Sequence, residues 1–326
     1  MPEEQGFPNF LACPLDGTSL RSSGSSLACE QNHEFAIEEE VPVFTSNPRR
    51  EFEPKNHPRC AIDFHSKIEP FVNNWIVNTN GNLYWKVRGK LPRYPIPRWP
   101  FEDGEGKTLV DLGCGWGRWC LAAANAGFQP MGVDVHLDAL QAATRVSKQL
   151  GKNNHYLCAD IEKLPFRSNA MDMVFSYSVL QHLDRSKVAR ILSEAARILK
   201  PGGVLHVQLP NVAGLYSTMQ RMKRGFREAR SGTFEMRYWS KRSIRETLQA
   251  SGFANVEIEA DGYFSQNPQL TDLDLLSVPG KFVVMTSYAG TKLAHAIPPL
   301  VAIADSLWVA ARKSSHLSVQ LPRADG

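Results

Sequence analysis

From Lys107 to Lys313 the chain alternates short apolar runs of strand length with longer segments whose apolar residues recur at helical spacing. "KTLVDL", "FQPMGVDVH", "NHYLCADIEKLPF", "MDMVFSYSVLQHLD" and "KPGGVLHVQLPN" each predict one strand, the last after a turn. "NVEIEADGY" and "SLWVAARK" predict a sixth and a seventh. "GRWCLAAANAG", closed by Gly127, and "DRSKVARILSEAARILK" read as helices, as does "RYWSKRSIRETLQASGF", with Ser240 at its cap and Gly252 beyond its end. Alternating strands and helices imply an α/β fold with a doubly wound parallel sheet.

The turn after the first of these strands, "DLGCGWG", places Gly113, Gly115 and Gly117 at alternate positions behind Asp111. Glycine supplies positive φ cheaply and keeps no Cβ between backbone and ligand, so a ligand is expected against this turn. Dinucleotide folds bind at the same place, but their G-x-G-x-x-G spacing would need a glycine at Arg118. The second strand runs into Asp134, whose carboxylate is placed to accept hydrogen bonds from both hydroxyls of a ribose. Asp160 and Ile161 follow the third strand, a pair suited to an adenine amine and an adenine face.

In order and spacing, "DLGCGWG", "GVDVH", "ADIEKLPF", "FSYSVLQHL" and "LKPGG" resemble the class I S-adenosylmethionine-dependent methyltransferases, especially the ubiquinone and menaquinone biosynthesis branch. The resemblance covers roughly Lys107 to Asn211. It implies a Rossmann-like seven-stranded sheet whose last strand is antiparallel, with S-adenosyl-L-methionine as cofactor. It also implies that Asp111 and the three glycines lie at the methionine part, Asp134 and Val135 at the ribose, Asp160 and Ile161 at the adenine, and Ser176 near the methionine end.

The N-terminal stretch reads as a separate unit over residues 1–45. "LACPLDGTSL" and "LACEQNHEFAIEEEVPVF" form two hairpin-like halves joined by a flexible "RSSGSS". They resemble the small β zinc-ribbon-like module in front of some bacterial ribosomal-RNA guanine methyltransferases, with Cys13, Cys29 and His33 in place and Asp16 where that pattern has a cysteine. Zinc accepts carboxylate oxygen, so the set allows a zinc site, with a metal-free remnant as the alternative. Residues 46–60 read as a linker and 61–100 as a helical lid and connector, with Tyr84 and Trp85 suited to covering the cofactor or simply packing on the sheet. Residues 101–326 form the core, with insertions at about 212–240 and 264–305, the second a substrate cap or a homodimer contact.

The net charge of +4 is local. Between Met219 and Arg245, nine cationic residues face Glu228 and Glu235, so the rest of the chain is slightly acidic. That segment suits an anionic acceptor, an RNA backbone, an anionic membrane surface or a solvated helix face. His182, just past the fourth strand, is the candidate catalytic base, with packing or capping as its other reading. "SYSV" stands where nitrogen methylases carry an Asn/Asp-Pro-Pro-Tyr/Phe motif, and no cysteine lies there to attack a pyrimidine. Methylation at O, N or C of a small molecule, glycan or lipid-linked intermediate is expected. An rRNA methyltransferase and a cofactor-binding adapter without catalysis are the alternatives. Pro298, Pro299 and Asp305 break the longest apolar stretch, and the acidic N-terminus is no signal peptide, so no transmembrane segment and a cytoplasmic protein are expected. Six scattered cysteines make no disulfide framework.

Overall fold

A computed structural model describes residues 7–50, 68–264 and 269–314. Strands β5 (Thr108–Leu112), β6 (Gln129–Asp134), β7 (His155–Cys158), β8 (Met171–Tyr177), β9 (Leu199–Pro210), β10 (Phe253–Gly262) and β11 (Ser306–Lys313) form one sheet in the order β10-β11-β9-β8-β5-β6-β7. β11 runs antiparallel between β10 and β9, and the other neighbours pair in parallel. The expected sheet, with its antiparallel last strand, is therefore present. β5 is buried along nearly its whole length, as a strand covered on both faces must be.

The covering helices are α2 (Arg118–Asn125), α3 (Leu137–Gln149), α4 (Arg185–Ile198) and α6 (Lys241–Ala250). α4 buries Val188, Ile191, Leu192 and Ala195, one stripe at helical spacing. Ser240 caps α6, its hydroxyl accepting from the Ser243 amide at 3.0 Å. In the two insertions lie α5 (Leu215–Lys223) and the 19-residue α7 (Val278–Ala296), which leaves Phe282 and Met285 exposed. No helix among the described residues is long and apolar enough to cross a membrane.

The N-terminal sheet, β1 (Leu20–Ser23), β2 (Ser26–Cys29), β3 (Glu34–Glu38) and β4 (Val41–Pro42), is antiparallel in that order. "RSSGSS" is no flexible joint: it is the β1–β2 hairpin itself, closed at Gly24 with φ +63°. The module is not a separate unit either, since Leu11, Leu27 and Phe35 share one apolar core with Val133, Leu157 and Phe166. The reading of 46–60 as linker also needs correction at its start: Arg49 pairs in parallel with His136. Residues 51–60 lie outside the described ones.

Ahead of the sheet come α1 (Pro70–Asn80) and a short 3-10 turn at Asn82–Val87, separated by Gly81. They are fastened on two sides. Trp116, from the glycine turn, donates its indole N–H to Asn80 at 3.1 Å, and the Tyr84 hydroxyl donates to the buried Asp272 in the second insertion. Arg93 donates to Asp272 at 3.3 Å and Asp274 at 2.6 Å. Tyr84 is thus a buried fastener, while Trp85, its partner in the lid reading, is 65% exposed. Replacing Tyr84 by Phe removes a donor from a buried carboxylate and is expected to destabilise the fold by about 1–3 kcal/mol. Chemical denaturation checks this: an unchanged midpoint shows that the bond contributes nothing.

Candidate cofactor and metal sites

Gly113, Gly115 and Gly117 all adopt positive φ, +76°, +53° and +80°. They are glycine for two different reasons. A Cβ on Gly113 would lie 2.4 Å from Val179 Cγ2, and one on Gly117 would lie 2.4 Å from the Tyr156 hydroxyl, so both are closed by internal packing. A Cβ on Gly115 would meet nothing within 4 Å. Its face is therefore the open one, where a ligand can touch backbone. The Gly115 amide donates to Asp134 Oδ2 at 2.9 Å, and the His136 amide donates to Oδ1 at 2.9 Å. These two bonds fix the Asp134 carboxylate beside the turn, and each oxygen keeps a second lone pair for a ribose hydroxyl.

The other expected cofactor residues sit around this pair in different states. Asp111 is buried under the turn, and Cys120 Sγ donates to its Oδ2 at 3.5 Å. Burial pushes its carboxyl up to about 7, helped by the charge of Asp134. Ser176 is also buried and donates to the Leu112 carbonyl at 3.0 Å, tying β8 to β5. Asp160 is exposed, its Oδ1 accepting from the Glu162 amide at 2.9 Å, while Ile161 beside it is buried.

The N-terminal module braces the loops that carry these residues. Val135 gives its carbonyl to the Arg49 amide at 2.8 Å, and the Leu137 amide donates to the Arg49 carbonyl at 2.9 Å. The Phe44 amide donates to the Cys158 carbonyl at 2.7 Å, and the Ala12 amide to the Pro165 carbonyl at 3.0 Å. These are main-chain bonds, which leave no side-chain pattern to read in advance.

Cys13, Asp16, Cys29 and His33 converge, with one ligand atom from each lying within 4.8 Å of the others. His33 Nδ1 is 3.5 Å from Cys13 Sγ, 3.4 Å from Cys29 Sγ and 3.0 Å from Asp16 Oδ2. A tetrahedral zinc ion at ordinary bond lengths separates such atoms by about 3.3–3.8 Å; the two sulfur–imidazole distances fall in that range, and the Asp16 oxygen sits closer, 3.0 Å from His33 Nδ1 and 3.2 Å from Cys29 Sγ, so a small outward shift of Asp16 completes the set.

Toward the acceptor side, His182 stacks on Phe234 with centroids 3.9 Å apart, and its Nδ1 lies 3.1 Å from the Phe234 carbonyl. A carbonyl only accepts, so Nδ1 carries the proton and Nε2 is left as the basic atom. Burial lowers the His182 pKa and keeps the ring neutral. Three residues that the chain pattern did not single out meet at the carboxyl end of β8. Tyr177 donates to the half-buried Asp261 at 3.0 Å, desolvation pushes the Asp261 carboxyl up to about 6, and Arg118 is buried 5.6 Å from the rings of Trp119 and Tyr177. Nothing in periodicity marks Arg118, which opens α2 where solvent is the usual neighbour.

The raised Asp111 has a pH consequence. Its folded pKa lies above the unfolded value of about 3.9, so the folded state holds more protons from pH 4 to 7 and this group's contribution falls as pH rises through that window. Asp111→Asn is therefore expected to gain stability relative to the parent between pH 5 and pH 8, by about 2–3 kcal/mol, because the unfolded carboxyl is already ionised at pH 5 and only the span from there to about 7 contributes. Denaturant midpoints at the two pH values measure it, and an equal offset at both would show that Asp111 is ionised throughout.

Residues 110–207 match the family model described as a methyltransferase domain. A biotin biosynthesis bifunctional protein of Cellvibrio japonicus is 28% identical over 166 residues, 50% of this chain and 31% of that protein. A ubiquinone biosynthesis O-methyltransferase of Coxiella burnetii is 32% identical over 101 residues, 31% of this chain and 42% of its own length. Phosphoethanolamine N-methyltransferase 1 of Triticum aestivum is 28% identical over 105 residues, 32% and 21% of the two chains. The chain thus spans less than half the length of each of these relatives. Among solved structures, a SAM-dependent methyltransferase from Methanosarcina mazei aligns at TM-score 0.46 and 17% identity, over 69% of this chain and 100% of that one. Phosphoethanolamine N-methyltransferase 2 of Haemonchus contortus, in complex with S-adenosyl-L-methionine, aligns at 0.44 and 21%, over 77% and 58%. The segment that holds the glycine turn, Asp134, Asp160 and His182 is thus the part of the chain that matches a methyltransferase domain.

Proposed function

We propose that this chain transfers a methyl group from S-adenosyl-L-methionine to a small-molecule acceptor. The observation that carries this reading is the open face of Gly115 with the Asp134 carboxylate fixed beside it, in a segment matching a methyltransferase domain. Gly113, Gly115 and Gly117 border the methionine part, Asp134 and Val135 the ribose, and Asp160 and Ile161 the adenine. Asp111 and Ser176 act beneath them, holding the turn and the β5–β8 pairing. Methyl transfer from a sulfonium is an in-line displacement, so the enzyme's task is to align the acceptor in a dry site. His182, neutral and with Nε2 as its basic atom, takes the proton where the nucleophile is a hydroxyl, a protonated amine or an acidic carbon.

The names of the relatives, which point to biotin and ubiquinone biosynthesis and to phosphoethanolamine, support a small acceptor. The RNA alternative draws on the basic segment. Much of that charge is already paired, Arg237 with Asp184, Arg227 with Glu235 and Arg242 with Glu246. We also propose that Cys13, Asp16, Cys29 and His33 hold a structural zinc ion. The ion, when bound, ties the β1–β2 hairpin to the chain on either side of it and so stiffens the module that braces Val135 and Cys158.

Two measurements test these readings. In calorimetric titration, Asp134→Ala is expected to weaken S-adenosyl-L-methionine binding at least tenfold, the loss of one or two good hydrogen bonds to a charged group. Unchanged affinity would remove Asp134 from the site, while label from the methyl group appearing in RNA rather than in small metabolites or lipid would overturn the acceptor class. Metal analysis of the purified protein is expected to give about one zinc per chain, lost in Cys29→Ala. A parent protein without stoichiometric zinc would make the module a metal-free remnant.

A further inference from the structure

At the carboxyl edge of the sheet, between α4, α5 and the first turn of α6, lies a cavity of about 260 Å³ lined by Arg185, Arg221, Arg224, Arg227, Tyr238 and Ser240 among others. Arg185, Arg221 and Arg224 are each anchored by one hydrogen bond, and Arg227 by several. Arg185 donates to the Tyr238 carbonyl at 2.9 Å with its guanidinium 4.4 Å from the Trp239 ring, Arg221 to the Val212 carbonyl at 3.3 Å, and Arg224 to the Met236 carbonyl at 3.5 Å. Arg227 is held by both oxygens of Glu235 at 3.0 and 2.9 Å. A guanidinium carries five N–H donors, so one anchoring bond fixes the fork and leaves most of its donors for a ligand. Arg237 shows the contrasting case: its donors go to Asp184 and to the carbonyls of His182, Thr233, Glu235 and Arg230, so it is framework and not recognition.

The lining is strongly cationic. Glu228 is its one carboxylate, and the capped N-terminus of the ten-residue α6 adds the positive end of a helix. Several arginine forks around one depression match a compact multivalent oxyanion; a nucleic-acid backbone wants charges spread along a track. Beside it the exposed Phe226 ring lies 5.4 Å from the Arg221 guanidinium. The cavity shares its frame with the candidate base, because Arg237 holds the His182 carbonyl at 3.1 Å and Arg185 opens the helix that follows.

We propose that this cavity binds the phosphate group of the acceptor, carried by a phosphorylated small molecule or by a lipid headgroup. The role of that phosphate as part of an acceptor rests on the methyltransferase reading, while the anion site itself does not. The test compares the full chain, the double variant Arg221→Gln/Arg224→Gln, and Lys223→Gln, which removes a neighbouring charge outside the lining. Inorganic phosphate is titrated calorimetrically against chloride of equal ionic strength, S-adenosyl-L-methionine is titrated separately, and flotation is measured with phosphatidylcholine vesicles with and without phosphatidic acid. The full chain and Lys223→Gln are expected to bind phosphate, or vesicles in a phosphatidic-acid-dependent way, and the double variant to bind at least tenfold more weakly with cofactor affinity unchanged. The two probes distinguish a free phosphate from a headgroup. The proposal is overturned by phosphate and phosphatidic acid doing no better than the chloride and neutral-lipid controls, by binding that survives in the double variant, or by salt-steep capture of a single-stranded RNA oligonucleotide without phosphate binding. A full chain that takes phosphate but no S-adenosyl-L-methionine would leave the anion site standing and bring down the methyltransferase reading.

Discussion

The turn between β5 and α2 is the constraint on which the rest of the site depends. It passes between Val179, in the loop after β8, and Tyr156, on β7, with no room for a side chain at Gly113 or Gly117. Tyr156 is itself buried, its hydroxyl 2.8 Å from the hydroxyl of Ser147 on α3. The position of the turn is therefore set by elements on both sides of it in the sheet, and the freedom that glycine normally brings is removed by packing. What remains bare is Gly115, and its amide and Asp134 are locked to one another.

Two outlying pieces of chain stabilise that centre from different directions. The N-terminal module reaches the loops after β6 and β7 through main-chain bonds from Arg49, Phe44 and Ala12. The helical segment ahead of β5 reaches the turn through Asn80 and Trp116, and the second insertion through Tyr84 and Asp272. Both attachments place polar groups in low-polarity surroundings, where a hydrogen bond is strong when made and costly when missing. The cofactor loops are thereby held on their outer side by parts of the chain remote in sequence.

Charge is distributed by the same logic. Asp111 and Asp261 are carboxyls that desolvation pushes toward neutrality, against the opposing charge of the buried Arg118, while the first insertion is dense in cations. Arg237 and Arg242 are absorbed by carboxylates, while Arg185, Arg221 and Arg224 line the cavity together with Arg227, which Glu235 holds. A net excess of charge along a segment thus resolves into a frame and a binding surface.

Strand and helix order was legible because burial imposes periodicity: "SLWVAARK" is β11 to the residue, and Ser240 caps α6 as its position before the amphipathic run predicts. The convergence of Cys13, Asp16, Cys29 and His33 was expected from the resemblance of "LAC" and "NHEF" to a zinc-ribbon-like spacing, and the four side chains do meet. α3 was not singled out in advance, although Leu137, Leu140 and Val146 carry its buried face. What the amino-acid order alone determined is local: which segments alternate, where they are capped, and which residues end their strands. The docking of the module on the loops after β6 and β7, the burial of Tyr84 beside the exposure of Trp85, and the difference between a framework arginine at 237 and cavity-lining arginines at 221 and 224 were decided by the tertiary structure alone. Each depends on which carbonyl or carboxylate a distant part of the chain brings within hydrogen-bond reach, and no periodicity in the sequence encodes that distance.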